Sequence, residues 1–130
     1  MELADRLAAA EVLWLTTLGE RGQPQSSPVW FTWDGEAFHV ASEPGAAKVA
    51  NVRRHPAVAV HLDGAGAGDL VVTVEGEAST HDGLGPATEA YVAKYAVGFA
   101  RLDLTPAAYL ATFSAALRVV PTRWRVFPST

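Results

Sequence analysis

The chain has 130 residues, 0 cysteines, a net charge of −4, 49% hydrophobic and 18% charged residues. This length predicts one domain, 1–130, with enough core to fold without staples. The missing cysteines exclude disulfides, Cys-ligated zinc, iron–sulfur clusters and a thiol nucleophile, and the acidic balance argues against nucleic acid as a partner.

Residues 2–10 predict a short amphipathic helix, with Leu3 and Leu7 on one face. Glu2 and Asp5 stand where a signal peptide carries basic residues. No apolar run reaches the roughly 20 residues that span a bilayer, so a cytoplasmic protein without a membrane partner is expected. Residues 11–18 (EVLWLTTL) predict a strand, ended by a turn between Gly19 and Gly22. Residues 24–33 (PQSSPVWFTW) predict a second strand; its prolines lack N–H donors and place it at an edge or a bulge. Asp34-Gly35 is a hairpin signal leading to a third strand, 36–42. Ser42 is a candidate cap, and Pro44 a first-turn residue, for a helix ending near Arg54, before Pro56.

Strands follow at 57–63 and 69–80, with Gly76 marking a bulge or a close approach. The glycine loop GAGAGD, 64–69, runs into a strand and not a helix, which excludes a dinucleotide fingerprint. Helices are predicted at 86–97 and 105–115, with Thr105 as a cap, and a last strand at 117–127. Apolar residues on both faces of the first two strands predict a sheet covered on both sides. Six strands joined mostly by short turns fit a mainly β fold, a small antiparallel barrel with peripheral helices.

Four histidines (His39, His55, His61, His81) show no metal-ligand spacing, and there is no GxSxG elbow. The cations are concentrated instead. Six of ten lie in two segments, one with Lys48, Arg53 and Arg54 and one with Arg118, Arg123 and Arg125. They could form an anion site or dress a helix end and an edge strand. Lys48 falls in a helix first turn, against the helix dipole, as a residue serving an anionic ligand would. Lys48, Asn51 and His55 share one helix face, while Val49 and Val52 should pack inward. Ser26 and Ser27 offer hydroxyls, and Trp30, Trp33 and Trp124 offer flat surface for a planar ligand or for the core.

The run LTTLGERGQPQSSPVWFTWDGEAFHVASEPGAAKVANVRRHPAVAVHLD, with the later VTVEGEA and RVVPTRWRVF, resembles the flavin/deazaflavin oxidoreductases, the pyridoxamine-phosphate-oxidase-like split barrels. Within them it looks most like the small actinobacterial branch that binds coenzyme F420. The resemblance rests on the GxPQ turn, the PVWF strand, the DG hairpin and the KxxNxRRxP helix exit. It implies an FMN-binding-type split barrel, homodimeric, with cofactor sites at the dimer interface. It implies a cofactor phosphate at Lys48 and nearby hydroxyls, with Asn51, Arg53 and Arg54 as further candidates on that helix. The ring system would lie along Ser27, Pro28, Val29 and Trp30 and against Ala41 and Ser42, with Ser26 a further cofactor-binding candidate. The second basic segment, Arg118, Arg123 and Arg125, would face an oligoglutamate tail, with Arg123 and Arg125 on one side of the last strand. Where relatives often carry cations, positions 46 and 47 are both Ala. The last strand does not reproduce the substrate-phosphate segment of the vitamin B6 enzyme. The expected function is hydride transfer from reduced F420 to a small unsaturated or quinone-like acceptor, with no side chain as nucleophile. The alternatives are an FMN enzyme of the same fold, or a non-catalytic barrel carrying a flavin, haem or lipid-type ligand.

Overall fold

The computed structural model describes residues 3–62 and 70–128. The glycine loop 64–69 lies outside them. Among the described residues seven strands form one sheet: β1 (Leu13–Leu18), β2 (Pro24–Val29), β3 (Thr32–Trp33), β4 (Phe38–Ser42), β5 (Ala57–Leu62), β6 (Val71–His81) and β7 (Ala115–Phe127). Their order is β2-β1-β5-β6-β7-β4-β3, every pair antiparallel. The sheet curls into a half-barrel. Its two edge strands, β2 and β3, are consecutive in the chain. Helices α1 (Leu3–Ala9), α2 (Ala47–Arg54), α3 (Thr88–Lys94), α4 (Ala96–Arg101) and α5 (Pro106–Thr112) lie around it.

The alternation that predicts strands also fixes which face is inside. Leu13, Leu15, Val72, Val74, Val40, Leu117 and Val119 point into one core, closed by Val49 and Val52 of α2. Each such side chain contributes about 1.5–3 kcal/mol on burial. A second cluster lies on the outer face: Tyr91, Tyr95, Phe99 and Tyr109 pack over Ala41 and Ala116. Gly76 sits at a register shift between β6 and β7, where a Cβ would lie 2.7 Å from the Val120 carbonyl oxygen. At the Asp34-Gly35 turn, Gly35 takes φ +96° and the Asp34 carboxylate accepts from the Glu36 and Ala37 N–H groups, both at 2.8 Å.

Five details depart from the sequence expectation. The second predicted strand is broken at Trp30-Phe31, making seven strands of six. The Tyr95 hydroxyl accepts from the Phe31 N–H at 2.8 Å, and its proton faces the carbonyls of Glu11 (2.8 Å) and Phe31 (3.0 Å), so a side chain replaces the ladder there. Ser42 does not cap α2. The helix starts at Ala47 with Ala46 as its N-cap, and the Ser42 hydroxyl donates to the Glu43 carbonyl at 3.0 Å. The helix predicted at 86–97 divides into a single 3₁₀ turn (Gly85–Ala87), α3 and α4, and β7 begins two residues earlier than expected. Finally, β2 is not covered on both faces: Pro24, Gln25 and Ser26 are exposed, as suits an edge strand that holds two prolines.

Candidate functional site

Two hollows meet at Lys48. The smaller, about 160 Å³, is lined by Thr17, Gln25, Ser26, Ser27, Ala47 and Lys48. Its wall is held by Asn51, which is buried (3% exposed) and donates to Thr17 Oγ1 at 3.0 Å and to Gln25 Oε1 at 2.8 Å. Arg54 donates to the Asn51 oxygen at 2.8 Å. These bonds tie α2 to β1 and β2, which fixes where the first turn of α2 sits above Ser26 and Ser27. Thr16 and Ser26 share a hydrogen bond of 2.7 Å across the strand pair. No side chain caps α2. Lys48 is half-buried, and among the described residues no carboxylate lies within ion-pair reach of it. Burial pushes its ammonium below the usual lysine range, and Glu43 offsets this only in part. A desolvated cation beside free helix N–H groups and hydroxyls is complementary to a phosphate.

The larger hollow, about 430 Å³, is lined by Pro28, Val29, Trp30, Ala41, Ser42, Glu43, Ala46, Lys48, Leu102, Tyr109 and Phe113. Its walls are aromatic and firmly packed. Trp30 stacks on Tyr95 (centroids 4.4 Å apart, planes 2° apart), and Tyr109 stacks on Phe113 at 4.4 Å. A Cβ on Gly98 would lie 2.7 Å from Trp30 Cη2, so α4 clamps the indole from the side. Burial raises the hydroxyls of Tyr91, Tyr95 and Tyr109, which therefore stay neutral. Ala41 gives a low floor beside Ser42. A flat apolar slot with a phosphate-sized polar annex fits a flavin-like molecule.

The structure therefore brings together Ser26, Ser27, Pro28, Val29, Trp30, Ala41, Ser42 and Lys48. Asn51 stands behind them as a positioning residue, Arg54 behind Asn51, and Arg53 is exposed. Arg123 and Arg125 lie elsewhere. Ala115 and Ala116 of β7 pair with Ser42 and Ala41, whereas Arg123 and Arg125 pair with Glu75 and Thr73 much further along the strand. Arg125 is bonded to Glu75 and, with Arg123, holds that carboxylate below its usual range.

Thr17, Gln25, Leu102, Tyr109 and Phe113 complete the hollows without standing out in the sequence. Thr17 and Gln25 are cross-strand partners, visible only once the register is known. Tyr109 and Phe113, four apart, form a helical stripe that spacing alone reveals. A third hollow, about 400 Å³, lies on the other side of Trp30 and is lined by Glu11, Lys94, Tyr95, Val97, Gly98, Arg101 and Leu102. There Lys94 Nζ lies 3.8 Å from the Phe31 ring centroid, and burial pushes it down to about 8 against the pull of Glu11.

A family model described as pyridoxamine 5'-phosphate oxidase matches residues 1–126. No curated protein shows a significant match. Several solved structures share the fold. An F420 reductase is 22% identical over 96% of this chain and 97% of its own, with a TM-score of 0.71. A conserved protein of Mycobacterium tuberculosis is 21% identical over 97% and 84%, with a TM-score of 0.76. A FAD-binding protein from Mesorhizobium loti is 21% identical over 95% and 87%, with a TM-score of 0.68.

Proposed function

Because the chain belongs to the pyridoxamine 5'-phosphate oxidase family of oxidoreductases, we propose that it binds a flavin-like cofactor, coenzyme F420, in the two hollows that meet at Lys48. The observation that carries this reading is the half-buried, unpaired Lys48 at the uncapped start of α2, opening onto the aromatic slot. A bound deazaflavin supplies hydride-transfer chemistry, here toward a small unsaturated or quinone-like acceptor. The chain supplies binding and orientation. Lys48 and Ser27 hold the phosphate, with Ser26 at the edge of the hollow and Thr17 positioning Asn51 behind it; Trp30, Tyr109 and Phe113 wall the ring system and exclude water; Pro28, Val29, Ala41 and Ser42 set its depth. No side chain is needed as nucleophile.

A homodimer is part of the same reading. Val71 and Phe127 are cross-strand partners on β6 and β7, 54% and 71% exposed. An exposed apolar patch of this kind suits a second copy of the chain, which would also bring Arg123 and Arg125 toward another subunit's site. A monomer in sedimentation at micromolar concentration would remove this element. Among the described residues no helix is long and apolar enough to cross a membrane, and a cytoplasmic enzyme is the setting we infer. Titration of the purified protein with F420 and with FMN, followed by absorbance and fluorescence, tests the cofactor. Saturable F420 binding is expected. Binding of FMN alone would replace the deazaflavin by FMN, and binding of neither would overturn the site.

A further inference from the structure

On the same outer face of the sheet, at the N-terminal end of α3, lies a hollow of about 520 Å³ that the cofactor reading does not use. Its floor follows from strand register. Thr32 pairs with His39, His39 with Arg118, and Arg118 with Ser79, so these four side chains form one row across β3, β4, β7 and β6. The neighbouring row is Ala41, Ala116 and His81, and there the second aromatic cluster docks and separates this hollow from the slot beside Ser42. Leu84, Pro86 and Ala87 form the apolar side of the hollow.

The polar groups in it are unequally satisfied. Asp34 accepts from His39 Nε2 at 2.7 Å and from two backbone N–H groups, and His81 Nε2 bonds Ser79 Oγ at 2.8 Å. Arg118, half-buried, has no ion-pair partner among the described residues. The Thr32 hydroxyl is buried, the residue 6% exposed, and it has no hydrogen-bond partner among the described residues. The Arg118 guanidinium, two strands from Thr32 across His39, is a half-buried cation without a paired counter-charge among those residues, a debit that an anionic ligand can relieve.

We propose that this hollow is a second small-molecule site, taking an organic monocarboxylate whose carboxylate sits on Arg118 and whose apolar body lies against Leu84, Pro86 and Ala116. The planar guanidinium matches a carboxylate in two parallel hydrogen bonds. Asp34, ionised in the wall, already offsets part of the Arg118 charge, so a single negative charge is accommodated better than a phosphate dianion. The proposal does not rest on the cofactor reading, and its test uses the protein without added cofactor.

Benzoate, benzamide and inorganic phosphate serve as probes, titrated while the ring C–H resonances of His39 and His81 are followed by NMR. Benzoate should shift them saturably, with benzamide and phosphate about tenfold weaker or more. Arg118→Gln should reduce benzoate to the level of benzamide, and Arg21→Ala, in the distant first turn, should leave it unchanged. Arg118→Lys, which keeps the charge but loses the planar fork, should weaken benzoate about threefold. This variant decides the question if Arg118→Gln does not fold. No saturable shift, phosphate binding tighter than benzoate, or parental benzoate affinity in the folded variants would overturn the site.

Discussion

Lys48→Ala separates a phosphate ligand from a solvated surface lysine by two opposite effects. In the cofactor complex the ammonium would make charge-assisted hydrogen bonds worth about 1.5–3 kcal/mol. At about 1.4 kcal/mol per decade, losing them weakens F420 ten- to a hundredfold. Half-burial shields the contact from salt, so the loss should persist at moderate ionic strength. Without cofactor the sign reverses. Burial lowers Lys48 in the fold relative to the unfolded chain, so the unfolded chain binds the proton more readily and stability rises with pH above the lowered value. Below it the buried charge is a liability that alanine removes. The apo variant should therefore be as stable as the parent or slightly more so, Val49 and Val52 still packing inward. Cofactor affinity of the parent should fall as pH rises through the lowered lysine value, and that of Lys48→Ala should not. Calorimetric titration of parent, Lys48→Ala and the exposed-turn control Arg21→Ala reads all of this. Parental affinity in Lys48→Ala would refute the phosphate placement.

Tyr95→Phe removes the hydroxyl bonded to the Phe31 N–H and should cost about 1–3 kcal/mol in urea unfolding; an unchanged unfolding free energy would show that the strand break has another origin. Gly98→Ala gains helix propensity but drives a Cβ against Trp30, which its stack on Tyr95 holds in place. A loss of about 1–3 kcal/mol with altered tryptophan fluorescence is expected, and a more stable variant with the parental spectrum would contradict the clamp. For Asp34, burial works to raise the carboxyl, but the hydrogen bonds from His39, Ala37 and Glu36 outweigh it and hold it at about 2 against 3.8. Its contribution is present above the unfolded value and lost as pH falls from about 4 through 2. Because the side chain is 46% exposed, screening reduces this to about 1 kcal/mol. Asp34→Asn should flatten the acid limb of a melting-temperature profile, and an unaltered limb would count against the ion pair.

The strands were legible because their chemistry is local. Alternation marks β1 and β6, two glycines bound the first turn, Asp34-Gly35 makes the hairpin, and Gly76 falls where β7 comes closest. The break at Phe31 was not, because its cause is a hydroxyl 64 residues away. Ser42 failed as a cap for a similar reason: its hydroxyl turns to the Glu43 carbonyl, and three more residues pass before α2 begins. Local propensity says which residues can cap; the path of the chain out of β4 decides which one is at the end of the helix.

The same distinction governs the site. Lys48, Ser26 and Ser27 could be singled out by residue type and position. Asn51 shares the Lys48 face by helical spacing, yet it turns inward to Thr17 and Gln25. A buried amide with three polar partners is a tie between elements, and only the β1–β2 register shows that those partners exist. Register likewise divides the outer face of β4 and β7. The small pair Ala41 and Ala116 admits the aromatic side chains of α3 and α5, and the pair two residues away, His39 and Arg118, is too large and polar to be covered by them. One alternation in HVAS and AALR thus yields a packed ridge with a hollow on either side, one beside a lone lysine and one over a lone arginine.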